Sequence, residues 1–371
     1  MAMTDIPLAK ELDRVPSSIV PLTAAEESRF QGIMEEAVMV DMHQHPFVLP
    51  ESMDQFVEYL RTNRYKWGYQ AVRHGGWTAV TTANIFGGLQ STSDMSFIEY
   101  DDLIAEVGTM LADVAGQDNV VRVGNADEIA AAKQQGNIGF LPTLEHLAIG
   151  NRIDRLDALY SMGVRLAGIT YNRKNYIGDG IYERNAAGLS DFGIEVVHRM
   201  NDLGMLVDLS HASMPTAQDA IEHSRAPVVF SHNAAYTLRP NRRTRKDEEL
   251  ASCARKGGLI CITAVPNSLS DDPEQDIECV LDHYDYMVNL VGIDHVAIGT
   301  DTTIGDHVAF HRQVMGRDAP AEFPAPYLNG LESPADGQNI VRGLIRRGHS
   351  DEYVSKIIGG NALALFRRVT A

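Results

Sequence analysis

Two stretches of the sequence decide the fold class: MLVDLSH at residues 205–211 and PVVFSH at residues 227–232. Each is a short apolar run, rich in β-branched residues, that ends in Ser-His. Apolar runs without alternating charges are typical of strands buried on both faces of a parallel sheet. Six more runs of this type lie at residues 37–40, 77–85, 138–144, 164–170, 259–263 and 295–299.

Segments with helical periodicity separate these runs, for example residues 192–203 and 279–291. Eight buried strands alternating with helices predict an α/β fold, a single (β/α)8 barrel over residues 26–371, preceded by an N-terminal arm over residues 1–25. A doubly wound open sheet would produce a similar pattern of runs. The two folds differ in where the chemistry lies, because a barrel places it at the C-terminal ends of many strands around one ring.

Composition narrows the classes of function. The 371 residues include 32 Lys and Arg against 50 Asp and Glu, a formal net charge of −18, which argues against nucleic-acid binding. Three cysteines without a metal or disulfide spacing favour a reducing, cytoplasmic environment. Residues 1–30 lack the apolar core of a signal peptide, and no stretch approaches the roughly 20 apolar residues of a membrane-spanning helix, so we expect no membrane partner.

Ionisable residues stand where the predicted strands end. His43 and His45 follow the first run, and residues two apart on a strand point in the same direction. Two imidazoles directed at one point form metal-ligand geometry, although an isolated HxH often arises by chance. Glu145 ends the third run. It could bridge two metal ions, or it could cap the next helix or pair with Arg152.

His211 and His232 end the fifth and sixth runs, and Asp301 follows the eighth. Four histidines and two carboxylates on five strands suit Zn²⁺ or a similar divalent ion with nitrogen and oxygen ligands. The set predicts a two-metal hydrolase, in which the ions activate a water molecule and polarise a carbonyl group. Asp301 would orient or deprotonate the water and pass the proton to the leaving nitrogen.

Five longer motifs carry a resemblance to a known family. They are GLSDFG at 188–193, LGMLVDLSH at 203–211, RAPVVFSH at 225–232, VGIDHVAIGTD at 291–301 and GGNAL at 359–363. Over residues 38–368 the chain resembles the membrane (renal) dipeptidase family of the amidohydrolase superfamily.

The resemblance implies a zinc-dependent (β/α)8 hydrolase of dipeptides, often tolerant of a D-residue on the C-terminal side. Two zinc ions are expected, with Mn or Fe as alternatives, and family members often form homodimers. By position, the resemblance assigns the metal ligands as His43, His45, Glu145, His211 and His232, with Glu145 as the bridge and Asp301 as the acid/base. Arg243 matches the arginine that binds the free carboxylate of the substrate. From the residues alone, an arginine in the basic run 242–246 would more often be solvated.

The chain also departs from the family pattern. His45 replaces an aspartate ligand, which removes one negative charge from the site. Tyr171 replaces a histidine that contacts the substrate; a phenol can donate a hydrogen bond to an oxyanion, and Asn172 beside it could line the same pocket. Residues 302–304 and Arg245 also differ. These changes cluster on the substrate side of the predicted site, and we interpret them as a change of substrate with the metal-hydrolase machinery kept. A metal-dependent hydrolase of a non-peptide amide or lactone is therefore the alternative function, and a non-catalytic binding protein is a third.

Overall fold

A ring of eight parallel strands forms the centre of the protein. The computed structural model describes residues 6–62, 65–82, 98–315 and 327–370. The ring strands are β1 (Val40–Asp41), β2 (Ala79–Thr82), β3 (Ile138–Leu144), β4 (Leu166–Gly168), β5 (Leu206–Asp208), β6 (Val228–Asn233), β7 (Leu259–Ile262) and β8 (Val296–Ile298). Each pairs in parallel with the next one along the chain. Each of the eight predicted runs overlaps one ring strand; residues 83–85, at the end of the second run, lie outside the described residues.

The first and last strands meet, which makes the ring a nearly closed barrel. The backbone N–H of Met42, directly after β1, donates to the carbonyl oxygen of Ile298 in β8 at 2.9 Å. Beyond this point the segment His45–Val48 pairs in parallel with Thr303–Ile304. The predicted (β/α)8 barrel is confirmed, and the open sheet is wrong because an open sheet would leave β1 and β8 apart.

Helices fill the connections between the strands. Their bounds are α1 (Ala24–Glu36), α2 (Phe56–Arg61), α3 (Tyr69–His74), α4 (Tyr100–Ala115), α5 (Ala126–Gln134), α6 (Asp154–Ser161), α7 (Asp191–Leu203), α8 (Met214–His223), α9 (Asp247–Arg255), α10 (Pro266–Leu269), α11 (Ile277–Val291), α12 (His307–Met315), α13 (Gln338–Arg346), α14 (Asp351–Ser355) and α15 (Asn361–Val369). Helices α5, α7, α9 and α11 each pack against the strand that follows them. Helices α7 and α11 confirm the two helical segments read from periodicity. None of the helices in the described ranges is long and apolar enough to cross a lipid bilayer.

Short elements complete the chain. The short strand Val120–Arg122 pairs with the N-terminal part of β3. A second pair is formed by Gln275–Asp276 and Leu328–Asn329. Residues 6–23 precede α1 and contact the barrel, for example through the N–H of Ala9, which donates to the carbonyl of Leu49 at 2.9 Å. The division into an arm and a barrel domain stays a prediction.

The GGNAL motif closes the barrel seam at the N-terminal ends of β1 and β8. A Cβ on Gly359 would lie 2.1 Å from the carbonyl oxygen of Val38, so only glycine allows this approach. The side-chain amide of Asn361 donates to the carbonyls of Ile293 and Val296 at 2.7 and 2.8 Å. The C-terminal motif therefore holds the chain before β1 against the start of β8.

Gly168 at the end of β4 offers a test of how tightly the strand ends are packed. A Cβ there would lie 2.0 Å from the carbonyl oxygen of Glu145, whereas a Cβ on Gly108 in α4 meets nothing within 4 Å. We expect Gly168→Ala to lower the free energy of unfolding by about 1–3 kcal/mol, because the two strands must separate. Gly108→Ala should be neutral or stabilising by about 0.5–1 kcal/mol. Urea denaturation followed by circular dichroism measures both, and equal midpoints would contradict the packing argument.

Candidate active site

The six ionisable residues predicted at the strand ends lie together at the C-terminal face of the barrel. Two groups have their ligand atoms within 4.8 Å of one another: His43, His45 and Asp301 form one group, and His43, Glu145 and His232 form the other. His43 belongs to both groups, so the two are contiguous. His211 joins them through Glu145, because its Nε2 atom lies 2.9 Å from Oε1 of that carboxylate.

Glu145 occupies the centre of the cluster. Its Oε1 atom lies 3.8 Å from Nε2 of His43 and 3.9 Å from Nε2 of His232, and its Oε2 atom lies 3.9 Å from Nε2 of His45. Burial raises the pKa of Glu145 well above its ordinary value, and the negative charge of Asp301 raises it further. A carboxylate in these surroundings needs a cation to stay ionised.

Asp301 reaches the cluster through an unusual backbone conformation. Its φ of 58° lies in the left-handed region, which a non-glycine residue adopts at a cost of about 1 kcal/mol or more. The N–H of Asp301 donates to the carbonyl of His43 at 2.8 Å, and Oδ1 lies 3.0 Å from Nε2 of His45 and 3.5 Å from Nε2 of His43. Burial acts to raise the pKa of Asp301, but the hydrogen bond with His45 and the nearby His43 lower it below its usual range.

Hydrogen bonds set the tautomers of His211 and His232. Nδ1 of His211 lies 3.0 Å from Oδ1 of Asn172, and an amide oxygen only accepts, so Nδ1 carries the proton. Nδ1 of His232 lies 2.9 Å from the Ser231 hydroxyl, which donates its own proton to Oδ2 of Asp208 at 2.6 Å. His232 must therefore donate from Nδ1 as well. In both rings Nε2 is left as a lone pair that faces the cluster.

The resulting arrangement fits a divalent cation. The Nε2 atoms of His211 and His232 lie 3.1 Å apart, and the former is 2.9 Å from the Glu145 oxygen. Three acceptor atoms at these distances repel each other unless a positive charge lies among them. Burial lowers the pKa of His43 to about 3 and lowers the pKa values of His211 and His232 well below their ordinary value, so the rings are neutral. Neutral imidazole is the form that binds metal.

Two buried aspartates that the sequence analysis overlooked hold the histidines in place. Asp208 accepts the N–H groups of Ser210 and Ser231 and both of their hydroxyls. Asp41 accepts the N–H of His43, the side-chain amide of Gln44 and both the N–H and the hydroxyl of Thr300. The available signal was an aspartate inside an apolar run, because a carboxylate buried in a strand needs several donors.

Tyr171 lies beside the cluster, where the resemblance places it. Its ring stacks on His211 with centroids 4.2 Å apart and planes at 23°, and only 7% of its surface is exposed. Burial raises the pKa of Tyr171 well above its ordinary value, so the phenol keeps its proton. Asn172, predicted to contact substrate, has its amide oxygen on His211; a substrate contact through its amide nitrogen stays a prediction.

Arg243 and Arg245, which both follow β6, have different surroundings. Arg243 is half-buried, and its Nη1 donates to the carbonyl of Ser210 at 3.0 Å, next to His211. Arg245 is fully buried; it pairs with Glu249 at 3.0 Å and donates to the carbonyls of Leu209, Ser210 and Ala212. The expectation that position 245 lies on the substrate side is wrong. Its guanidinium binds the backbone of the loop that carries His211.

The chain is similar in sequence to the proteins of one family. A sequence model of the membrane dipeptidase family, peptidase family M19, matches residues 27–371. The chain belongs to this family. Dipeptidase tcpJ of Claviceps purpurea (strain 20.1) is 32% identical to it over 256 residues, which are 68% of this chain and 56% of that protein. The chain thus spans little more than half the length of this curated relative.

Solved structures confirm the barrel of this M19 family member. A crystal structure of an amidohydrolase from Pseudomonas aeruginosa superposes with a TM-score of 0.77 at 25% identity, covering 92% of this chain and 98% of that one. A metallo peptidase from Rhodobacter sphaeroides, liganded with a phosphinate mimic of the dipeptide L-Ala-D-Ala, superposes with a TM-score of 0.71 at 18% identity, covering 90% of this chain and 100% of that one.

The contact between Asn172 and His211 predicts an effect on metal affinity. Asn172→Ala should weaken Zn²⁺ binding by about 10–100-fold, because His211 loses the acceptor that fixes its tautomer and ring orientation. Competition with a chelator of known affinity measures the change. The matched control is Asn137→Ala, whose side-chain amide contacts Gln135 away from the cluster. Unchanged Zn²⁺ affinity in the Asn172 variant would show that this contact does not orient a ligand.

Proposed function

We propose that this protein is a metal-dependent dipeptidase with two zinc ions, which hydrolyses the amide bond of dipeptides or of related small N-acyl amino acids. The observation that carries the proposal is a set of four imidazoles near Glu145, arranged as two pairs. The Nε2 atoms of His43 and His45 are 3.3 Å apart, and those of His211 and His232 are 3.1 Å apart. Each pair would hold one ion, and the carboxylate between them would bridge the two. When bound, the ions would lower the pKa of a water molecule and polarise the substrate carbonyl.

Asp301 is the proposed acid/base. Its Oδ1 atom faces His43 and His45, so it can accept a proton from water as the water oxygen bonds to the carbonyl carbon. The lowered pKa of Asp301 keeps it ionised, so the side chain begins the reaction as a carboxylate. The same carboxyl group then donates the proton to the leaving nitrogen as the C–N bond breaks, which regenerates the carboxylate.

Two further side chains would bind the substrate. Arg243 would hold the free carboxylate, for which a planar guanidinium with two parallel donors is suited. Tyr171 would donate its phenolic hydrogen bond to the oxygen that becomes negative in the transition state. None of the described residues hydrogen-bonds to this hydroxyl, which supports a role toward a bound molecule. A cytoplasmic location, a homodimer, and Mn or Fe in place of zinc stay predictions.

Metal content and turnover on one sample test the proposal. We expect two metal ions per chain by elemental analysis, hydrolysis of L,L or L,D dipeptides, and loss of turnover with a chelator that added Zn²⁺ restores. Bound metal without turnover of any dipeptide would favour the alternative, a hydrolase of a non-peptide amide or lactone. Absence of bound metal would overturn the site assignment.

Asp301→Asn should abolish turnover and leave the metal content unchanged, because the amide keeps the shape of the side chain but cannot take the proton. We expect a fall in kcat of at least about 10²-fold. The matched control is Asp294→Asn, an exposed aspartate paired with Lys356. Near-normal kcat in the Asp301 variant would refute the proton-transfer role.

Arg243→Ala should raise KM for dipeptides with a free carboxylate by about 10–100-fold, because the variant loses the binding free energy of one charge-assisted hydrogen-bonded pair. The same dipeptides with an amidated C-terminus provide the control, because they lack the charge that Arg243 would bind. A steady-state comparison of KM for the two forms measures the effect. An equal loss on both forms would assign Arg243 a structural role through its contact with Ser210.

A further inference from the structure

A second, basic pocket of about 720 Å³ opens on the surface of the protein. Its walls contain four basic side chains, Arg173, Lys174, Arg184 and Arg242, and two acidic ones, Asp179 and Glu183. We call it the basic pocket. Nothing in the proposed catalytic role uses it.

The basic pocket adjoins the candidate metal site at two places in the chain. Asn172 contacts the His211 ring, and the next residue, Arg173, lines the pocket. Arg243 contacts the Ser210 carbonyl, and the preceding residue, Arg242, lines the pocket. At each place a residue that contacts the His211 segment is bonded directly to a residue that lines the pocket, and the Cα atoms of two such neighbours are about 3.8 Å apart. The wall of the basic pocket is therefore continuous, at two places in the chain, with the segments that contact the metal site.

The pocket wall is also tied directly to the ligand-bearing loop. The N–H of Ile181 donates to the carbonyl of His211 at 2.8 Å, and the N–H of Tyr182 donates to the carbonyl of Asn172 at 2.9 Å. Arg242 lies over the Tyr182 ring, with its guanidinium carbon 5.9 Å from the centroid. The two backbone hydrogen bonds join the pocket wall to the segments that carry His211 and Asn172.

The acidic side chains of the basic pocket already have partners. Asp179 is buried, accepts the N–H of Ala187 and lies 3.4 Å from Nζ of Lys174. Glu183 accepts the N–H groups of Lys174 and Arg184 at 3.1 and 3.3 Å. Its carboxylate is thus held by backbone donors of the pocket wall.

Two of the arginines keep their charge available. Within the described part of the chain, neither Arg184 nor Arg242 pairs with a carboxylate, and both are exposed. Arg239 and Arg225, in contrast, pair with Asp271 and Asp202. Acidic residues outnumber basic ones 50 to 32 in the chain, so two arginines without a carboxylate partner in one pocket form a local excess of positive charge. A surface of net charge −18 repels anions, so an anionic substrate requires local positive charge at the site entrance.

We propose that the basic pocket binds a second carboxylate of the substrate, carried by the side chain of the carboxyl-side residue, so that the preferred substrates are dipeptides ending in Glu or Asp. This inference rests on the proposed dipeptidase function. The carboxyl-side assignment follows from the chain: Arg243 is proposed for the α-carboxylate, and Arg242, its neighbour, would then face the side chain of the same residue. Guanidinium groups suit this task because they bind carboxylates through two parallel hydrogen bonds.

The test uses substrate pairs that differ only in charge. On the metal-loaded enzyme we expect kcat/KM for Ala-Glu to exceed that for Ala-Gln by about 10-fold at low ionic strength, mainly through KM, with a smaller ratio at high salt. Glu-Ala and Gln-Ala should differ little. Arg242→Ala and Arg184→Ala should each raise KM for Ala-Glu about 3–10-fold more than KM for Ala-Gln. The matched control is Arg225→Ala, an exposed arginine before β6, at the opposite end of the barrel strands, which should keep the wild-type ratio.

Each outcome has one meaning. Equal kcat/KM for Ala-Glu and Ala-Gln, or a preference that survives in both pocket variants, would overturn the inference while leaving the dipeptidase proposal intact. A preference confined to Glu-Ala over Gln-Ala would overturn the assignment to the carboxyl-side residue. Turnover of none of these dipeptides, nor of Ala-Ala, would overturn the dipeptidase proposal and this inference together.

Discussion

The hydrogen bonds of two buried aspartates are the constraint on which the rest of the site depends. Asp208 ties the loop after β5 to β6, and Asp41 ties β1 to the residues after β8, each through backbone and hydroxyl donors. Both carboxylates are excluded from water, so their donors cannot be exchanged for solvent. These bonds therefore hold the strand end that carries His211 against the one that carries His232, and the strand end that carries His43 against the residues after β8.

This fixed frame explains why the cluster suits a cation. The ring orientations direct the Nε2 lone pairs of His211 and His232 toward the cluster, in surroundings where burial keeps these imidazoles neutral and disfavours a bare carboxylate. Protonation of the histidines would cost desolvation, whereas divalent ions would satisfy the nitrogen and oxygen atoms together. Arg243 and Tyr171 lie beside this centre and offer hydrogen-bond donors, which suit the free carboxylate and the developing oxyanion of the proposed substrate.

Sequence reasoning succeeded where the pattern is local. Runs of apolar residues identify strands because burial on both faces of a sheet disfavours charged side chains, and each of the eight runs overlaps a ring strand. Ligand candidates were visible because strand ends carry them directly, as in HxH and Ser-His. Sequence reasoning failed where a side chain contacts residues that are distant in the chain. Arg245 lies in a basic run, yet its guanidinium is buried and donates to three backbone carbonyls. Asp41 and Thr300 are 259 positions apart, and no local pattern reports their contact.

The sequence by itself determined the barrel, the family, and the types and positions of the candidate ligands, because these follow from periodicity, burial and short motifs along the chain. Only the tertiary structure decided which nitrogen of each histidine faces the cluster, that Asn172 and Ser231 set those tautomers, and that Arg242 and Arg184 share a pocket beside Arg243. The reason is physical: a hydrogen bond or a pocket depends on distances of a few ångströms between segments far apart in the chain, and those distances exist only after the barrel closes.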